Sequence, residues 1–440
     1  MGLRDDIRNY IEHTPFVDTH EHIWEESFRV RALEMGGESP IPAPDIGMLF
    51  SHYANSDLRV AGMSAEELKH VASATRSPKA KWAILDPYYR RMRNTGYAMN
   101  VRESVRLLFG HDDLTAQNVE EISEKFRAAI KPGYYNVVLR DFANVEYCHV
   151  NSLEGDIFCE TAQPDLLAQD LSFVALTTTG RLELADRAGI TLKTLKDWHG
   201  VIDWAFATYG LRAIAVKSQI AYGRGLDFAK VSAPEVAPIF EERLAKGEEG
   251  LSAADTKALQ DHLFHYCVEK AVEYELPVKL HTGYYAGHNS MPLSRLSKNP
   301  AEMCELCRMH PDAKFIFMHI TYPYQDAAIA TAKQWSNAYI DMCWAAIINP
   351  VASVRFVKEF LLAAPASKLF TFGGDYMPVE LVPGHAAIAR RVLTQAVSEL
   401  VEEGWVPEAH VEALIDRIMR GNAHEMYDLE RTLEHWKKTG

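Results

Sequence analysis

No run of the 440-residue sequence approaches the roughly 20 apolar residues that a membrane-spanning helix requires. The opening residues, Met1-Gly2-Leu3-Arg4-Asp5-Asp6, hold no apolar stretch of the signal-peptide kind. A cytoplasmic protein with no membrane partner is the expectation. Cysteine is scarce: six in a chain of this length are too few and too scattered for a disulfide framework. Cys304 and Cys307 form a single Cys-x-x-Cys, no second pair stands at zinc-ribbon spacing, and the surrounding Pro300 to Met309 reads as a half-buried helix face. Positive charge is also in deficit. Against 60 Asp and Glu stand 46 Lys and Arg, a formal net charge of -14, which argues against a general nucleic-acid surface because phosphate backbones demand clustered cations. A glycine-rich phosphate loop is missing after the first strand-like stretch, which speaks against a doubly wound nucleotide-binding sheet. What remains is an ordinary globular composition, 48% hydrophobic and 24% charged, long enough for one large barrel with insertions or for two domains.

The stretch Pro15-Phe16-Val17-Asp18-Thr19-His20-Glu21-His22 stands in the place of that loop. In an extended chain, His20 and His22 share one face, and two imidazoles on one strand end form a grip for zinc or a similar ion. Solvated histidines at a polar strand end are the alternative. Three later apolar runs end in residues of the same chemistry. Leu276 to Leu280 leads to His281, Lys314 to Met318 leads to His319, and Lys368 to Gly374 leads to Asp375. In a parallel barrel, catalytic groups come from the carboxyl ends of several strands, so these stations are expected to converge on one mouth.

The order His20-x-His22, His281, His319, Asp375 resembles the amidohydrolase superfamily of metal-dependent barrel enzymes, particularly its amidohydrolase-related branch, from residue 15 to about residue 427. The resemblance implies that His20, His22, His281 and Asp375 meet a divalent metal, with zinc expected. It further implies that His319 orients or deprotonates the attacking water, and that Asp375 is catalytic as well as a ligand. One ion is expected, with a second if Lys217, at the end of the fourth strand, is carbamylated as in related binuclear enzymes. Otherwise Lys217 holds a substrate carboxylate or lies on the rim.

The expected fold is α/β, a (β/α)8 barrel with a large helical insertion after strand 1. Residues 1–23 supply a helix and the first strand, 24–134 the insertion, and 135–440 the rest of the barrel with its closing helices. Helical periodicity runs over 59–75, 81–96 and 100–109, and Gly36 to Pro44 reads as loop. The insertion leaves the carboxyl end of strand 1, so it is placed to act as a lid. Its segment from Tyr89 to Gly110 is similar to the helical insertion of uronate-isomerase-like members. Further strands are expected at Tyr135–Phe142, Leu171–Thr178, Leu211–Lys217 and Asn337–Trp344. Glu235 to Leu251 reads as an acidic, glycine-bearing stretch. Tyr88 and Arg90 in the insertion, Arg140, Tyr284 and Lys217 are the substrate-contact candidates, since Arg pairs with carboxylates in a planar fork; a solvated, self-paired helix face is the alternative for Tyr88 and Arg90. The expected activity is hydrolysis of a small amide, ester or lactone, with a carboxylate on the substrate, in a homo-oligomer. Uronate isomerisation and non-oxidative decarboxylation or carbon–carbon cleavage on the same barrel are the alternatives.

Overall fold

The strands of this protein are two to six residues long and almost wholly buried, polar positions included, as the inner wall of a barrel requires. A computed structural model describes residues 2–36, 39–153 and 156–439; Gly37 and Glu38, inside the expected Gly36 to Pro44 loop, lie outside the described residues. Eight strands form one sheet in sequential order: β1 (Phe16–Glu21), β2 (Val145–Val150), β3 (Leu167–Ser172), β4 (Ala213–Ser218), β5 (Val278–Leu280), β6 (Phe315–Phe317), β7 (Ala338–Asp341) and β8 (Leu369–Phe370). Pairing from β3 to β7 is parallel, with Val278 opposite Phe315 and Phe315 opposite Ala338. Hydrogen bonds between β1 and the segment around β8 close the sheet on itself. Thr19 N–H donates to Phe372 at 3.0 Å, Asp375 N–H to His20 at 2.9 Å and His22 N–H to Tyr376 at 3.0 Å. With helices between the strands, this is a (β/α)8 barrel. Among the described residues, no helix is long and apolar enough to cross a membrane.

The chain divides into two compact units. The first holds the residues up to Cys148, Tyr284–Pro292 and Asp341–Ala423; the second holds His149–Gly283, Leu293–Ile340 and the residues from His424 onward. In the first unit, the expected insertion is helical. Its helices include Ala54–Val60, Ala65–Ala72, Pro78–Met92 and Gly96–Phe109. Ser64 and Glu67 form a reciprocal capping box, and Ser77 and Thr95 cap the next two helices. The helix expected over 59–75 is broken in two at Gly62, whose φ of 108° lies outside helical geometry. A buried pair, Lys81 Nζ to Asp45 Oδ2 at 2.6 Å, fixes the loop before these helices to the third of them.

In the second unit, helix Ala233–Lys246 runs through most of the acidic, glycine-bearing stretch Glu235 to Leu251, and helix Ala253–Glu273 follows it, where a helix is expected over Asp255–Tyr274; Ser232 and Glu235 start the first with another capping box. His265, on the longer helix, lies with Nδ1 2.7 Å from His310 Nε2. Burial, assisted by Lys230, lowers the His265 pKa to about 4, and burial with His265 and Lys230 lowers His310 to about 3. In the unfolded chain both titrate near 6.5, so the unfolded state binds more protons below that pH. Stability is therefore present above pH 6.5 and falls as the pH drops from about 6.5 to 4. We expect a loss of a few kcal/mol from this pair, the full linkage value being reduced by solvent screening. Denaturant titrations at pH 7.5 and 4.5 should show a smaller difference for His310→Gln than for the wild type; equal differences would exclude the pair as the source.

Two expected strands are displaced. Tyr135–Phe142 is not β2 but a helical segment, Tyr134–Asn136 continued by a wide turn, Val137–Phe142. Tyr135, Val138 and Leu139 are buried while Val137, Arg140 and Phe142 are exposed, a helical spacing hidden in a strand-like composition. Its first amides are satisfied from far away, Gly133 N–H and Tyr135 N–H donating to the Glu26 carboxylate at 3.2 and 2.7 Å. Likewise, Leu171–Thr178 is only the end of β3, and Val174–Thr178 is a helical turn.

Candidate metal and catalytic site

In the first unit, β1 and the segment after β8 build a cluster of three ligand atoms. His20 Nε2 and His22 Nε2 lie 3.1 Å apart, and Asp375 Oδ1 lies 3.4 and 3.1 Å from them. All three side chains are buried or nearly so. Asp375 reaches them from a left-handed backbone, φ 61°, a conformation that costs a non-glycine residue energy and is kept where the surroundings demand it. Burial acts to raise the Asp375 pKa, but the hydrogen bonds and charges of His20 and His22 hold it well below the usual carboxylate range. The donor set, two imidazoles and one carboxylate whose ligand atoms lie together, fits a zinc-like ion.

Asp18 and Glu21 lie behind this cluster, and sequence reasoning passed over both. Asp18 Oδ1 accepts His20 N–H at 3.1 Å and Gly374 N–H at 3.2 Å, and Glu21 Oε2 accepts Tyr376 N–H at 2.7 Å. Burial raises Asp18 to about 7 and, with the Asp18 charge, raises Glu21 well above its ordinary value. The two carboxyls therefore hold the backbone around His20 and Asp375 without two full charges. Their signal was the alternation in Asp18-Thr19-His20-Glu21-His22, where every position of the strand is buried. Thr19 Oγ1 adds a 2.6 Å bond to Asp341 Oδ2 at the end of β7. Gly374 must lack a side chain, since a Cβ would come within 1.7 Å of Glu21 Oε1. Gly374→Ala is expected to fold but to bind metal roughly 10- to 100-fold more weakly, the usual effect of disturbing groups that orient ligands. Metal titration of the purified variant tests this, and unchanged affinity would remove Glu21 from any orienting role.

The insertion brings aromatic rings to the same neighbourhood. Tyr53 stacks on Trp344 with centroids 4.3 Å apart, Tyr97 stacks on Tyr53 at 5.5 Å, and Tyr53 meets Tyr376 edge-on at 5.1 Å. His52 stacks on Tyr53 at 4.1 Å, and its Nδ1 accepts Met377 N–H at 3.2 Å. Burial, opposed by Asp375 and assisted by His22, lowers its pKa to about 4, so it stays neutral at physiological pH. Tyr284 is half-buried with its ring edge toward Trp344 at 5.6 Å. Tyr88 donates to Glu67, Arg90 is exposed and paired with Asp86 one turn back, and Arg140 is exposed on the helical turn that replaces the expected strand. Those contacts do not join Tyr88 or Arg90 to His20, His22 or Asp375.

In the second unit, His281 directly follows β5 and His319 lies two residues beyond β6. Both are buried, with His319 Nε2 3.0 Å from His281 Nδ1, and the Tyr222 ring lies 4.5 Å from that of His281. His319, Ile320 and Thr321 all have positive φ, 62°, 48° and 54°, strained for two β-branched residues. Lys217 is buried in β4, opposite Lys279 in the sheet register, with Nζ 2.7 Å from Met318 Sδ. The rim position is thereby corrected: the side chain lies inside. A cavity of about 850 Å³, lined by Leu276, Lys314, His424 and Tyr427, opens at the amino-terminal ends of β5 and β6. That is the end opposite His281 and His319, where barrel residues serve stability.

The family model for amidohydrolases matches residues 205–429. Protein fluG of Emericella nidulans is 24% identical over 227 residues, 49% of this chain and 26% of that protein, so the chain spans only part of that relative's length. Among solved structures, uronate isomerase from Thermotoga maritima superposes with a TM-score of 0.75 at 15% identity, covering 97% of both chains. Glucuronate isomerase from Caulobacter crescentus gives 0.73 at 15%, covering 96% and 93%. A protein of Lactobacillus casei, described by inference as a metal-dependent hydrolase, gives 0.65 at 18%, covering 97% and 98%. At such identities, the structural likeness establishes the fold.

Proposed function

The chain belongs to the amidohydrolase family, whose model covers just over half of it, and on that footing we propose that it is a metal-dependent hydrolase of a small amide, ester or lactone bearing a carboxylate. The convergence of His20 Nε2, His22 Nε2 and Asp375 Oδ1 within 3.4 Å carries this reading. His20, His22 and Asp375 would hold the ion, with His281 added by the resemblance. When bound, the ion supplies a Lewis acid that polarises a carbonyl and acidifies water. The Asp375 carboxylate, held ionised, accepts the proton of the attacking water as its oxygen bonds to the substrate carbonyl carbon. The same proton then passes to the leaving nitrogen or oxygen as its bond to that carbon breaks. His319 takes the water-orienting role that the resemblance implies. Tyr53, Tyr97 and Trp344 supply apolar surface that limits bulk water.

A second reading, aldose–ketose isomerisation of a uronate, is favoured by superpositions that include the helical insertion as well as the barrel. Metal analysis of the purified protein with turnover assays on lactones, amides and uronates separates the two. We expect about one equivalent of divalent metal and hydrolysis of a carboxylate-bearing substrate. Isomerisation of uronates without any hydrolysis would overturn the first reading.

A further inference from the structure

We propose a second metal site on the outside of the second unit, in which His199 and His262 clamp a divalent transition ion between two helices. His199 stands on helix Leu195–Ala205 and His262 on helix Ala253–Glu273. Their Nε2 atoms lie 3.0 Å apart, against 3.1 Å for His20 and His22. An ion about 2.0–2.1 Å from each nitrogen would see the pair at roughly a right angle, as in tetragonal coordination of nickel or copper, with water completing the shell.

The tautomers support a ligand role. His262 Nδ1 lies 2.8 Å from the Val231 carbonyl and must donate to it, which leaves the Nε2 lone pair facing His199. A ring N–H given to a backbone carbonyl is the arrangement that orients metal-ligating histidines. His199 Nδ1 has no protein partner among the described residues, so its proton can move there and free Nε2 for the ion without breaking another bond. The His199 ring is fixed by stacking on Tyr266, centroids 4.2 Å apart and planes within 7°. Asp203, one turn further on the same helix, adds a carboxylate nearby, held by Tyr266 Oη at 2.9 Å and Lys270 Nζ at 3.0 Å. Both imidazoles are half-buried and so accessible to an ion; burial and the neighbouring His262 lower the His199 pKa to about 4. The other outlying pair, His265 and His310, differs. Its nitrogens are 2.7 Å apart and both rings are buried, which suits a direct hydrogen bond.

The test is equilibrium dialysis of the full-length, metal-loaded protein against nickel chloride, followed by metal counting, for the wild type, His199→Gln, His262→Gln and His310→Gln. The wild type and His310→Gln should bind one equivalent more than His199→Gln or His262→Gln, and nickel should raise the melting temperature only of the first two. Equal stoichiometry in all four proteins would overturn the site. Loss of the equivalent in His310→Gln alone would also overturn it, by moving the ion to the other pair.

Discussion

Asp375→Asn should purify with little bound metal and turn over at least ~100-fold to ~10,000-fold more slowly than the wild type, the range for a lost acid–base group. Asparagine keeps the shape of the side chain but not its charge. The Oδ1 atom lies 3.1 Å from His22 Nε2 and 3.4 Å from His20 Nε2, so a neutral group there removes both a ligand and the proton acceptor. The strained backbone at this position, φ 61°, is tolerated by asparagine, so the fold should survive. His319→Asn provides the contrast: if its role is proton handling, the metal should stay while turnover falls by a similar factor. Metal content and kcat measured side by side decide the matter. Stoichiometric metal with wild-type turnover in Asp375→Asn would sink the assignment.

The second large effect concerns folding. Lys279 lies inside the barrel wall with Nζ 2.9 Å from both oxygens of Asp170 and 2.9 Å from His149 Nδ1, and neither member of the ion pair is exposed. The Tyr427 ring covers the ammonium at 5.3 Å. Lys279→Met leaves a buried carboxylate without its cation, which should cost about 3–5 kcal/mol, a large part of the about 5–15 kcal/mol that holds a typical domain together. Adding Asp170→Leu should recover much of that loss, because an apolar pair of similar volume replaces a buried ion pair at little net cost. Denaturant unfolding of both variants provides the check. If the double variant is no more stable than the single one, packing and not the stranded charge is responsible.

How much of this was legible beforehand follows from where each signal resides. His20 and His22 are two positions apart on one strand, and His281, His319 and Asp375 follow short apolar runs, so local pattern alone placed them at strand ends. β5, β6 and β8 were found for the same reason. β3 was not: Gln169 and Asp170 in its centre look like loop residues, and only Lys279, 109 positions away, makes that carboxylate tolerable inside a barrel wall. Lys279 itself passed as part of an apolar run.

The sequence by itself determined the class of barrel, the order of the candidate site residues at its strand ends and the helical nature of the insertion, because these depend on periodicity and on neighbours along the chain. Tertiary structure alone decided that Tyr135–Phe142 is helical, that Asp18 and Glu21 brace β1 against the segment after β8, that Tyr53 and Tyr97 meet Trp344, and that Tyr88 and Arg90 face other partners. Each of those outcomes depends on a polar or aromatic group more than a hundred residues away, or on a choice among several possible partners. A buried carboxylate or amide takes whichever partner the fold delivers, and local sequence carries no record of that delivery.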